Sequence, residues 1–386
     1  MQRYECLKAI APLLKDDLVI ANLANTSTEW RSLRPSEGNL YFGGMGMVTP
    51  YALGLAMALP QRRVAALDGD GGILFDMSIF GTLAQADAPN LLVIVFDNEG
   101  YVSTGKTASC RSLSGGTVDI AAVAQASGIA NAVTVRSVDA FVAAVEAALA
   151  DTAAPHVIVA KVDLTQAFVG TLNIDSRENK YRFVRHVEQI TGKTILKPSA
   201  REHGEPPKPD PVFTPVVEGA PFAQVMHEAL RENGVDFVIG LPCSGFAAAQ
   251  QRCIDDPDIR YVPVAHEGTG LGLCAGAWLG GKRTAALIEN LGVMASAYQL
   301  LRGHYAFGIP TLLVPEYRGD AGETEFFGDC GDMTEPLLAA MRVNHRVVRD
   351  LRDLKPAVRD GLRWMNFGLR PYAVLPGFDL TRHRRA

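Results

Sequence analysis

Two doubly wound α/β domains, each built on a parallel sheet, are what this 386-residue chain predicts. Three observations predict them. The length exceeds the roughly 250–300 residues at which one hydrophobic core stops growing, so two cores are expected. Apolar, β-branched runs alternate with helix-period patterns in both halves, and strands separated by helices pair in parallel with helices on both sheet faces. Between the halves, ILKPSAREHGEPPKPDPVFTPVVEG at 195–219 is rich in proline and carries no sustained periodicity, which suits an extended linker.

In the first half the strands are DLVIAN, RVAALDG, NLLVIVFDN, AVTV and HVIVAKV, short apolar runs bounded by Asp, Asn and Gly. Helical periodicity falls near 48–59, 75–86, 117–127 and 137–149. ENKYRFVRHVEQITG at 178–192 mixes basic and aromatic residues. It reads as a helix across the domain edge with its charged heads reaching water, or else as a phosphate-binding surface. In the second half VDFVIGLP, IRYVPVAHE, RTAALIEN, IPTLLVPE, HRVVRD and PYAVLP are the strands. Helices are expected near 221–233, 245–254, 268–280, 292–304, 333–341 and 351–365, and TRHRRA is a solvated tail. No residue-level repeat is evident between the halves.

Composition narrows the function. With 37 basic against 42 acidic residues the net charge is −5, so no field favours nucleic acid or an anionic membrane surface. The six cysteines form no CxxC pair, which suggests neither a zinc site nor a redox dithiol and fits a reducing cytoplasmic setting. MQRYECLKAIAPLLKDD lacks the apolar core of a signal peptide, and no apolar run of about 18 residues is present to span a bilayer.

The chemistry concentrates in GDGGILFDMSIFGTLAQADAPNLLVIVFDNEGY, Gly69 to Tyr101. In an open parallel sheet, ligands bind beyond the carboxyl ends of the strands. Asp70 follows one predicted strand and Asn98 the next, so both project to one sheet edge. Their oxygens are hard ligands suited to Mg²⁺, and glycines beside Asp70 let backbone amides approach a phosphate closely. Alone, GDGG is also the sequence of a simple turn.

Together, Gly69-Asp70-Gly71, the intervening helix and strand, and Asp97-Asn98 resemble the signature of enzymes that use thiamine diphosphate. The resemblance implies a diphosphate-binding domain at 1–194, the linker at 195–219 and a pyrimidine-binding domain at 220–386. It implies Mg²⁺ on Asp70, Asn98 and the Gly100 carbonyl, with Gly43, Gly69, Gly71, Gly72, Ser103 and Thr104 along the cofactor. Met45, in GGMGMVTPYALGLAMALPQRR, matches the bulky residue that props the cofactor in its bent shape. Core packing is the other role for that side chain.

In VPVAHEGTGLGLCAGAWLGGKRTAALIEN, Glu267 opens a Gly- and Ala-rich helix where this family keeps its glutamate. A glutamate at a helix start is by itself only a favourable dipole partner. The resemblance makes it the catalytic, cofactor-binding carboxylate that favours the imino tautomer of the pyrimidine ring, the form that removes the thiazolium proton. The match is closest to the sulfopyruvate and phosphonopyruvate decarboxylases, through GLPCS at 240–244, YRGDAG at 317–322 and YVSTGKTAS at 101–109. It implies Mg²⁺-dependent, non-oxidative decarboxylation of a short 2-oxo acid with an anionic tail to an aldehyde, or carboligation to an acyloin. Cys243, Ser244, Asn290, His304, Arg318 and Lys106 are the candidates for the substrate. A homodimer or dimer of dimers is implied, with no nucleic acid and no membrane. Two departures stand out: the diphosphate domain comes first, and IENLGVMAS replaces an amide- and serine-rich run, retaining Asn290 but adding Glu289 and Leu291. A nucleotide-binding regulatory α/β protein is the rival from another class, without a GxGxxG or P-loop lysine to support it.

Overall fold

The computed structural model describes the chain apart from residues 23–24, 43, 103–106, 109–117, 171, 197–211, 217–220, 324–326 and 382–386, and the side chains of 107–108. It divides into two compact units, Met1–Lys193 and Thr194–Ala386. The strands of the first are β1 (Leu18–Ala21), β2 (Asn39–Tyr41), β3 (Val64–Gly69), β4 (Leu91–Asp97), β5 (Gly100–Tyr101), β6 (Thr107–Ala108), β7 (Ala132–Val135) and β8 (His156–Lys161). Six of them form one sheet in the order β2-β1-β3-β4-β8-β7, while β5 and β6 make a small antiparallel ribbon. Every pair in the six-stranded sheet is parallel.

The second unit carries β9 (Phe237–Gly240), β10 (Arg260–Pro263), β11 (Thr284–Glu289), β12 (Leu312–Glu316), β13 (Asn344–Val348) and β14 (Tyr372–Pro376). Their order, β10-β9-β11-β12-β14-β13, repeats that of the first unit, again all parallel. All seven residues of β4 are buried, which is why LLVIVFD reads as a continuous apolar run rather than an alternating one. Strand order reverses beside β1 and β3, and beside β9 and β11, placing the ligand crevice of a doubly wound sheet at the ends of those strands. The two doubly wound parallel sheets expected from the sequence are present.

The matching topology exposes a residue-level repeat that the sequence reading overlooked. Setting β3 on β11 puts Arg63 to Leu67, RVAAL, beside Arg283 to Leu287, RTAAL. It also puts Asp70 beside Asn290 and Gly72 beside Gly292. Asp70 and Asn290 each open a short helix, Asp70–Phe75 and Asn290–Ala295. One turn further on, after β4 and after β12, Glu99 and Gly319 both have positive φ, 57° and 76°. The match is only a few residues long at each point, and the intervening motif is rewritten.

Strand β2 was also missed, its three residues being too few to show a period. The helix Ser176–Thr191 closes its edge through Asn179, which accepts from the Tyr41 N–H at 2.7 Å and donates to the Asn39 carbonyl at 3.2 Å. Not all the cations of that helix reach water: Lys180 is fully buried. Among the described residues no helix is long and apolar enough to cross a membrane.

Candidate active site

Parallel register pairs Gly69 of β3 with Phe96 of β4, so Asp70 and Asn98, which follow the two strands, reach one edge of the first sheet. A cavity of about 150 Å³ opens there. Met45, Gly69, Asp70, Gly71, Gly72, Asn98 and Gly100, all singled out in the sequence, line it together with Arg3, Asn22, Asn25, Thr26 and Tyr101. Asp70 is only 3% exposed. Asn98 Oδ1 accepts from the Gly100 N–H at 3.1 Å, closing the turn through Glu99. A left-handed conformation costs a non-glycine residue of order 1 kcal/mol, and surrounding contacts must hold it. Lys161 supplies them from the end of β8, 2.5 Å from Glu99 Oε1 and 3.0 Å from Asp97 Oδ2.

Beneath the cavity lies Asp68. It accepts from the Gly69 N–H at 2.9 Å, the Thr49 hydroxyl at 2.8 Å and Asn22 Nδ2 at 3.1 Å. Burial pushes its pKa up to about 6 despite the opposing donors. Asn22 is thereby fixed at the cavity wall. Arg3 is committed too, paired through two bonds of 2.8 and 2.9 Å with Glu29.

The donor set and the cradle fit a diphosphate bridged by a hard cation. Asp70 and Asn98 bring oxygen ligands only. A side chain at Gly71 would strike the Tyr101 ring, and one at Gly72 the Asp68 carboxylate, so bare backbone faces the cavity as phosphate binding requires. Gly43, Ser103, Thr104 and Lys106 lie outside the described residues.

In the second unit Glu267 opens the helix Glu267–Leu279 directly after β10 and is 9% exposed. Around the same strand ends gather Glu289, Glu316, Glu323 and Arg318, with Glu289 opposite Glu316 in register. Burial raises the Glu289 pKa; Arg318 opposes the shift, and Glu316, Glu267 and Glu323 add to it. Arg318 and Ser244, two of the substrate candidates, come together at 3.5 Å. The guanidinium is, however, engaged by Glu323 at 2.6 Å and stacked 3.7 Å over the Phe327 ring. The Arg318 charge is therefore already offset within the protein.

The other candidates serve the protein. Asn290 is fully buried and donates to the Arg318 carbonyl and the Thr334 hydroxyl, each at 2.8 Å, so it ties down the loop after β12. Cys243 is kept as a thiol, its pKa pushed far up by burial and by the Glu316 carboxylate. His304 lies in the core, within a π-helical turn, Leu300–Tyr305. Its two ring nitrogens sit 3.0 Å from the Ile309 and Leu271 carbonyls, which leaves neither for a substrate anion.

Sequence reasoning missed Asn22, Asp68 and Lys161, and noted Glu289 only as a departure from the family's pattern. Asn22 and Glu289 sit at the carboxyl ends of predicted strands, so the rule that selected Asp70 applied equally to them. Lys161 carries no local signal, because its role depends on the adjacency of β4 and β8.

The model of the thiamine pyrophosphate enzyme C-terminal TPP binding domain matches residues 22–160. The sulfopyruvate decarboxylase subunit beta of Methanothermobacter thermautotrophicus is 37% identical over 129 residues, 33% of this chain and 67% of that one. The subunit alpha of Methanococcus maripaludis is 36% identical over 101 residues, 26% of this chain, and this chain spans only 60% of its length. A transketolase variant from Pichia stipitis shares the fold, with a TM-score of 0.59 and 12% identity over 97% of this chain and 75% of that one. By sequence, the chain belongs to the thiamine pyrophosphate-dependent 2-oxo acid decarboxylases, the carboxy-lyases that include sulfopyruvate decarboxylase.

Proposed function

We propose that this chain catalyses the Mg²⁺-dependent, non-oxidative decarboxylation of a short 2-oxo acid with an anionic tail, of the sulfopyruvate type, to an aldehyde and carbon dioxide. The observation that carries the reading is the cavity at the ends of β3 and β4, where Asp70, Asn98 and the bare backbone of Gly71 and Gly72 converge. Among the described residues no three His, Cys, Asp or Glu side chains make a metal site by themselves. A cation there takes its remaining ligands from phosphate and water, which is the habit of Mg²⁺. In this reading Asp70, Asn98 and the Gly100 carbonyl hold the cation, the amides of Gly71 and Gly72 receive the diphosphate, and Met45 supports the cofactor's bend.

Bound thiamine diphosphate supplies a cationic ring that takes up the electrons released with carbon dioxide. Glu267 holds a proton against a nitrogen of the cofactor's second ring. Its near-complete burial strengthens that hydrogen bond. The diphosphate-binding role falls to residues 1–194 and the pyrimidine-binding role to 220–386, with 195–219 as linker. That subunits named alpha and beta both match this one chain supports a fusion of the two roles. A homodimer or dimer of dimers then completes the site. The setting is cytoplasmic and reducing, in keeping with five buried, free thiols among the described cysteines.

The test is a panel of 2-oxo acids, sulfopyruvate and phosphonopyruvate included, incubated with the protein, thiamine diphosphate and Mg²⁺ and coupled to an aldehyde-reducing enzyme. NADH loss matching carbon dioxide release is the expected result. Acyloin in place of aldehyde, or no turnover on any acid, overturns it.

A further inference from the structure

Glu267 must point its carboxylate in one direction to meet a ring nitrogen, yet a glutamate side chain at a helix start has several staggered rotamers to choose from. What narrows the choice is glycine. An added Cβ at Gly292 would sit 2.5 Å from both Cγ and Oε1 of Glu267 and 2.7 Å from its Cδ. The Glu267 side chain therefore rests directly on the Gly292 Cα, in the helix Asn290–Ala295 that follows β11. On the other side of the same turn, a Cβ at Gly268 would come within 2.6 Å of Cδ and Nε2 of Gln299, itself 5% exposed. Nothing in the backbone asks for glycine at 292. It is helical and absent from the positive-φ residues, and its carbonyl accepts normally from the Ser296 N–H at 3.0 Å. Alanine would ordinarily be favoured there by helix propensity.

We infer that Gly292 is a positioning residue for Glu267: its bare Cα is the seat that holds the carboxylate in its working direction, and any side chain there turns the carboxylate away. The inference rests on the reading of Glu267 as the carboxylate that serves the cofactor ring. The repeat between the units sharpens it. Gly72, the counterpart of Gly292, is kept bare by Asp68 below the strand end, whereas Gly292 is kept bare by a residue from a neighbouring helix.

The test is a pair of double-mutant cycles on the full chain. In the first, without cofactor, thermal midpoints are measured for wild type, Gly292→Ala, Glu267→Ala and the double variant. The expected result is that Gly292→Ala lowers the midpoint by several degrees when Glu267 is present and raises it when residue 267 is alanine. An equal loss in both backgrounds overturns the inference, because the clash would then lie elsewhere. In the second, with thiamine diphosphate and Mg²⁺ bound, exchange of the thiazolium C–H for deuterium is followed by NMR after acid quench. Gly292→Ala should slow exchange at least tenfold while leaving the cofactor Kd within threefold, and should add nothing in a Glu267→Gln background. Unchanged exchange in Gly292→Ala overturns the inference alone. Exchange in the wild type no faster than in free cofactor overturns the Glu267 reading and the inference with it.

Discussion

Lys161 Nζ stands 3.0 Å from Oδ2 of Asp97, tying the end of β8 to the residue just ahead of Asn98. Asp97 is 1% exposed, and the same ammonium holds Glu99 in its left-handed turn. Lys161→Met would remove the cation that offsets a buried carboxylate, a change that costs about 3–5 kcal/mol when the charge stays buried. We expect about 2–4 kcal/mol less stability in urea melts, since Lys161 is partly exposed. We also expect at least tenfold weaker Mg²⁺-dependent cofactor binding as the Asn98–Gly100 turn loosens. Unaltered binding would show that the turn keeps its shape without the lysine.

Binding and chemistry should separate between the units. If Asp70 and Asn98 hold the cation as proposed, Asp70→Asn removes the negative charge of one ligand and Asn98→Ala removes the other ligand, so each should raise the cofactor Kd by about a hundredfold in calorimetric titration with Mg²⁺. Glu267→Gln keeps the shape of the side chain but not its charge. It should leave the Kd within a few-fold and lower kcat by about 10²–10⁴, the usual contribution of proton transfer by a positioned group. Equal effects on Kd from all three would contradict the division of roles.

A methyl group is enough to test the phosphate cradle. Gly71→Ala drives a Cβ into the Tyr101 ring, and Gly72→Ala drives one into the Asp68 carboxylate. Overpacking of this sort costs about 1–3 kcal/mol. Because Asp68 is fully enclosed and Tyr101 is half-buried at the cavity wall, the two should differ. Gly72→Ala is expected to show its loss mainly in thermal stability. Gly71→Ala is expected to show it mainly in cofactor affinity, recovered in part by the Gly71→Ala, Tyr101→Ala double variant.

Much of this was legible in the chain itself, for a physical reason. Parallel strands buried on both faces read as unbroken apolar runs, so RVAALDG and NLLVIVFDN announce both β3 and β4 and the residues that follow them. Glu267 was singled out through the family resemblance alone, because an acid at a helix start is by itself an ordinary dipole partner. What stayed hidden depends on three-dimensional adjacency. Lys161 reaches Asp97 only because β8 lies beside β4, and Gly292 touches Glu267 only because two helices meet. Arg318 was a candidate on its charge, and that Glu323 holds its fork depends on the loop after β12, which the sequence pattern does not show.

Arg318 should accordingly behave as a structural residue. Its guanidinium offsets Glu323 and Glu316, at 2.6 and 4.0 Å, on a strand edge that also carries Glu289 and Glu267. Arg318→Met would leave Glu323 and Glu316 without this cation, so a loss of about 2–4 kcal/mol is expected in denaturant melts. KM for an anionic 2-oxo acid should change by less than threefold. A rise in KM of a hundredfold with stability intact would instead make Arg318 the substrate's anchor.

Lys180 predicts a pH dependence unrelated to the site. It is fully enclosed in the helix Ser176–Thr191, with Nζ 3.8 Å from the Tyr181 ring centre. Burial, helped by Arg177, lowers its pKa from 10.5 to about 8. A folded pKa below the unfolded one means that between about pH 8 and 10.5 the unfolded chain binds more protons, so stability rises with pH across that window. The contribution is complete above the unfolded pKa and is lost as pH falls through about 8. Across the whole window it amounts to about 3 kcal/mol, at 1.36 kcal/mol for each pH unit. Urea melts of wild type and Lys180→Met, compared from pH 7 to 10.5, isolate it from other groups that titrate there. The variant should be the more stable protein at pH 7, and the gap should close as the pH rises. Parallel curves would mean that the buried ammonium keeps its proton throughout.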